Sequence, residues 1–214
     1  KQIHGFTDAQ YGAIFLPQVA LAVLGAVAGG TLARRLGLQP LLWLAAAGNG
    51  LSQLALAASL WVMPALAFPT ILLGTALLGW SFGLGGAPLN SYPPRFFPQR
   101  APAAVVALHT LLGLGLMVGP LLANSFGRAD WWIGFPLSLL GLSGLLALLA
   151  ATVRLPRDVG SATERRATPN PPLKSGAFWV FAAIAVLYAF AEGTFSNWAV
   201  IYLREAKALP TGVA

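Results

Sequence analysis

Cysteine is absent from the 214 residues. Disulfides, thiol nucleophiles and cysteine-held metals are therefore excluded. Charge is scarce as well. Only 9% of the residues are Asp, Glu, Lys or Arg, against about 25% in soluble domains. What fills the space is apolar: 57% of the chain is hydrophobic and the mean hydropathy is +0.72. A chain this poor in charge and rich in apolar residues reads as a polytopic membrane protein, all-α, because a spanning helix satisfies its own backbone polar groups. No metal and no cofactor are expected.

A membrane helix takes about 20 mostly apolar residues. Six stretches qualify, at roughly 11–32, 41–61, 66–89, 103–126, 131–152 and 177–203. The connections between them are short except for 153–175. That stretch is polar, contains Pro156, Pro169, Pro171 and Pro172, and reads as a tether.

The formal net charge of +7 acquires a meaning once the spans are drawn. Arg34, Arg35, Arg95, Arg100, Arg154, Arg157, Arg165, Arg166 and Lys174 fall on one side. Lys1, Arg128, Arg204 and Lys207 fall on the other. Basic residues concentrate in cytoplasmic loops, so the larger set is placed in the cytoplasm and both ends of the chain outside. The basic balance is thus read as topology, and nucleic acid is not an expected partner. The chain opens on Lys1 with no signal-peptide pattern, consistent with a piece of something longer.

Small residues recur within the spans: Gly25 and Gly29, then Gly79, Gly83, Gly85 and Gly86, then Gly115 and Gly119. Small residues four apart let helix backbones approach closely. Pro69, Pro88, Pro120 and Pro136 lie within or at the edges of spans, where each removes a helix hydrogen bond and permits a kink.

Glu192 is the acid placed inside a span, within "YAFAEGTFSNW". An intramembrane carboxyl is costly and usually faces a cavity or a partner. Tyr188 and Ser196 are four residues to either side, so the three share one helix face, with Asn197 close by. Two readings stand: a substrate or proton site, or a carboxyl that hydrogen-bonds a neighbouring helix. Gln18, Asn49, Gln53, Asn90 and Asn124 read as interhelical hydrogen-bonding groups. Asn90 also has a claim on a ligand, and His109 on a coupling proton. "GWSFG", Gly79 to Gly83, fits the nucleophile pattern G-x-S-x-G. With His109 on the next span, Ser81 raises the alternative of a rhomboid-like intramembrane serine protease. Glycine-rich spans produce that match readily.

"GGTLARRLGLQP" resembles the signature loop of the major facilitator superfamily, with Gly30, Arg35 and Gly37 in place. Arg34 stands where that family usually has an acidic residue, and Leu38 and Gln39 replace basic ones. "FTDAQYGAIFLPQ", "LNSYPPRFFPQRAPAAVVALHTLLGLGLMVGPLL" and "AEGTFSNWAVIYL" resemble the family's first outer loop, its fourth-to-fifth helix stretch and a seventh helix of fucose-permease-like sugar-carrier style. On this resemblance the six spans are family helices two to seven of a twelve-helix fold. Residues 1–152 are most of the N-terminal half, 153–175 the cytoplasmic linker, and 176–214 the first helix of the C-terminal half.

The resemblance implies a secondary transporter working by alternating access on a small polar solute, with proton symport through Glu192 and the seventh helix lining the cavity. It places the chain in a plasma membrane of bacterial inner-membrane type. The lipid bilayer, a small-molecule substrate and further helices, of the same transporter or of a partner membrane subunit, are the implied partners. The alternative of a different class is an accessory or assembly subunit that keeps the fold.

Overall fold

A computed structural model describes residues 5–153, 155 and 175–207; the side chains of Ser196, Asn197, Val200 and Arg204 lie outside the described ones. Among the described residues the fold is all-α, with six helices long and apolar enough to cross a membrane.

The chain enters helix α1 (Asp8–Ala13) through a capping box: Thr7 accepts from Gln10 N, and Gln10 Oε1 accepts from Thr7 N at 3.0 Å. Two otherwise orphaned amide donors are satisfied this way. Ile14 keeps a right-handed helical backbone, so α1 runs on into α2 (Phe15–Leu36) as one span, Asp8–Leu36. The first span therefore starts three residues before the 11 read from hydropathy. The Thr7–Gln10 box sets the start there.

Gly37 ends α2 at φ +87°, a conformation that a side chain disfavours, while its N–H bonds Ala33 O at 3.0 Å. Helix α3 (Leu38–Ala58) begins at the next residue. The signature loop is thus a single residue. Arg34 and Arg35 belong to the last turn of α2, where cations complement the carbonyl end of the helix.

Helix α4 (Pro64–Phe96) has Pro69, Pro88, Pro93 and Pro94 inside it. It outruns the span read at 66–89 because Pro93 and Pro94 do not stop it. They fall in its last turn, near the end of the hydrogen-bond ladder. At about 1.5 Å per residue it is roughly 50 Å long, against about 30 Å of hydrocarbon. One 3₁₀ turn (Pro98–Arg100) leads to α5 (Ala101–Arg128).

The return to α6 (Gly134–Thr152) is tight, with Asp130 at φ 51° and Trp131 N bonded to Phe126 O at 3.0 Å. The Phe126 and Trp131 rings meet edge-on at 5.6 Å. Trp131 and Trp132 therefore belong to the turn, and α6 starts three residues later than the 131 expected.

The chain divides into two compact units, Lys1–Val159 and Gly160–Ala214. In the first, α2 and α4 run parallel and almost touch. A methyl placed on Gly25 would be 3.3 Å from Gly83 Cα, and one on Gly79 would collide with the Gln18 backbone. Helix α3 lies between α4 and α6: Gly74 faces Ala55, and Gly50 faces Leu140. Helix α5 touches α4 and α6 but buries no residue. The buried set is small-bodied, including Ala46, Ala57, Ala67, Gly25 and Gly83, while Leu16, Val27, Phe82 and Leu116 point outward. That is the pattern of helices joined by close backbone packing in lipid, where apolar bulk outside costs nothing. The second unit contributes α7 (Gly176–Glu205), whose apolar span Gly176–Phe195 buries none of its residues.

Candidate functional site

Helix α7 builds its polar stripe from spacing alone. Tyr188 and Glu192 are four residues apart, one turn along the same face. The Tyr188 hydroxyl lies within hydrogen-bonding reach of the Glu192 carboxyl. Both side chains are exposed, Tyr188 at 66%. The hydroxyl can donate one hydrogen bond to a carboxylate that accepts several. A solute donor or a proton thus has lone pairs left to meet. Ser196 and Asn197 lie in α7, but their side chains are outside the described ones.

The other candidates belong to the first unit. Asn90 donates its side-chain amide to Gly86 O at 2.8 Å on its own helix and is exposed. His109 is exposed on α5. Counted from the α4–α5 elbow at about 1.5 Å per residue, Asn90 is roughly 9 Å and His109 roughly 12 Å into the bundle. The two share a depth.

Asn49 makes the interhelical bond expected of it, Nδ2 to Ser143 Oγ at 3.1 Å, and so joins α3 to α6. Gln39 Nε2 adds a second tie across the same pair, to Ala150 O at 3.0 Å. Gln53 departs from expectation: it is buried and its Oε1 has no partner among the described residues. Gln18 contributes its backbone to the Gly79 crossing, and Asn124 is exposed.

Ser81 is 3% exposed and donates to Leu77 O at 2.7 Å, with its side chain pressed against Gly48 of α3. Its hydroxyl is spent inside α4, while His109 is exposed on α5. The nucleophile pattern here reports packing. Of the signature-motif residues in α2, Arg34 and Arg35 are exposed, and a methyl on Gly30 would meet nothing within 4 Å.

Sequence reasoning missed Tyr92, which is buried with a hydroxyl lacking a partner among the described residues. Its position just before Pro93-Pro94 suggested a connection. It also missed Ser143. A serine within so apolar a helix was the available signal.

One family model matches, described as Major Facilitator Superfamily, and it covers residues 1–214. No curated protein and no solved structure matches the chain.

Proposed function

We propose, on the premise that the chain belongs to the Major Facilitator Superfamily, that it is part of a secondary active transporter of a small polar solute with Glu192 in the solute or proton path. Membership makes it a multi-pass membrane protein of a transporter family. The solute, the coupling and the alternating access are the proposal. One observation carries it: a carboxyl on a membrane-length helix, exposed and met there by the Tyr188 hydroxyl one turn away. In transporters of repeat architecture the solute sites lie near the midplane at the repeat interface, and a carboxyl there can exchange a proton for a solute donor.

The test is uptake by the reconstituted full-length protein beside a melting curve for each variant. Glu192→Gln keeps the size and most hydrogen bonds but cannot titrate. It is expected to insert and melt normally, to lose gradient-driven uptake, and to keep solute exchange without a gradient. Glu192→Leu is expected to lose binding as well. A structural carboxyl would give the reverse pattern. Glu192→Gln would then transport normally at several pH values, and Glu192→Leu would lose about 1–3 kcal/mol of stability. No uptake by the wild type with any small solute would favour an assembly subunit.

A further inference from the structure

Among the described residues, the end of the first unit that carries the α2–α3 joint is charged with one sign. Because α2 and α4 run parallel, with Gly29 set against Leu84, their C-terminal ends come out on the same side. Arg34 and Arg35 occupy the last turn of α2, Arg95 the last turn of α4, and Arg100 the 3₁₀ turn that follows. The described acids of this unit, Asp8 and Asp130, are at the opposite end: Asp8 at the start of α1, near the Phe6–Phe68 ring contact, and Asp130 after α5. Helix termini do not neutralise the patch. At about half a charge per terminus, the three C-termini of α2, α4 and α6 and the two N-termini of α3 and α5 nearly cancel.

The patch is also greasy. Leu36, Phe96 and Phe97 are 51%, 46% and 60% exposed, and their chain neighbours Arg34, Arg35 and Arg100 are exposed too. Tyr92 stacks on Phe96 at 6.0 Å and stands beside Arg95. Its buried hydroxyl has no partner among the described residues. Arginine offers a phosphate paired N–H donors in a fixed fork. Exposed phenylalanine and leucine suit acyl chains, for which a dissolved anion has no use. Helix α4 is long enough for this end to stand in the headgroup layer.

We propose that the ends of α2 and α4 with the 3₁₀ turn form a binding site for one anionic phospholipid, its phosphate held by Arg34, Arg35 and Arg100 and its chains lying along Leu36, Phe96 and Phe97. This site is separate from Glu192 and does not depend on what the protein transports.

The test uses the full-length protein in phosphatidylcholine discs with and without about 20% phosphatidylglycerol, each basic residue near such a surface being worth about five-fold in affinity. Lipid retained on the protein is counted by native mass spectrometry. Wild type is expected to retain phosphatidylglycerol. Arg34→Gln/Arg35→Gln/Arg100→Gln should bind it about a hundred-fold more weakly on the same reckoning. The matching lysine triple should keep most of the affinity, and Arg128→Gln at the far end should keep all of it. If the glutamine triple does not fold, Arg100→Gln alone carries the expected five-fold loss. Equal retention by the glutamine variants and wild type overturns the site, and so does an equal loss in Arg128→Gln. Displacement of the lipid by millimolar inorganic phosphate overturns the lipid assignment in favour of a free anion.

Discussion

Gly83→Ala should weaken the first unit through one close crossing. A methyl on Gly83 would sit 2.6 Å from Ala26 N and 2.8 Å from Gly25 C, and would strike Ala22 O harder still. All three are backbone atoms of α2, so no side chain can rotate away. Restoring ordinary contact needs the helices to part by about 1 Å. A gap of that size forfeits a quarter to a half of each dispersion contact along the seam. Overpacking of this kind costs about 1–3 kcal/mol. Gly79→Ala should behave alike, since its methyl would collide with the Gln18 backbone. Gly30→Ala and Gly113→Ala are the controls. Both glycines are helical and a methyl there meets nothing within 4 Å, so alanine's better helix propensity is left to act alone. Melting of the purified variants in one detergent reads the difference. If Gly83→Ala melts with Gly113→Ala, the α2–α4 crossing is not as close as described and the packing account fails.

Asn49→Leu and Ser143→Ala should each lower stability, and a double-mutant cycle should return about 0.6 kcal/mol of coupling, up to about 2; zero coupling would remove the α3–α6 tie. The absence of native cysteine allows single-cysteine topology mapping. Gln99→Cys should react only with reagents that reach the cytoplasm and Ala129→Cys only from outside. Labelling of both from one side would break the span order. Ser81→Ala should leave uptake unchanged, and a fluorophosphonate probe should label neither protein. Ser81-dependent labelling would revive the protease alternative.

How much the sequence revealed depended on which force placed each residue. Long apolar runs are dictated by the bilayer, so all six spans were legible from hydropathy. Span ends were less so, because single residues set them: the Thr7–Gln10 box, the φ of Gly37, and the ring contact of Phe126 with Trp131. The glycine rows were legible as close packing. Their partners were not, because the row of Gly79 and Gly83 does not say that α2 rather than α3 lies across it. Ser81 shows the converse. The residue types around it matched a catalytic pattern, and only its hydrogen bond to Leu77 O and its burial against Gly48 show a hydroxyl already used.

The same accounting of hydrogen bonds bears on Glu192. Thr70, Ser81, Asn90, Thr110, Ser125 and Ser138 return a side-chain hydrogen bond to their own helix, to Leu66, Leu77, Gly86, Val106, Leu121 and Phe135. Asn49 and Gln39 spend theirs on the neighbouring helix. Each of these groups gains its membrane position by closing a bond within the first unit. A carboxylate cannot close on its own helix in that way, because the helical N–H groups are taken and it has nothing to donate. Among its described side chains, what α7 offers Glu192 is the Tyr188 hydroxyl, one donor for a group that can accept several. Structure alone would be served more cheaply by glutamine, which carries both a donor and an acceptor and no charge. A carboxyl is favoured at that position where its proton, or its charge, is put to use. The uptake of Glu192→Gln decides between those two residues directly.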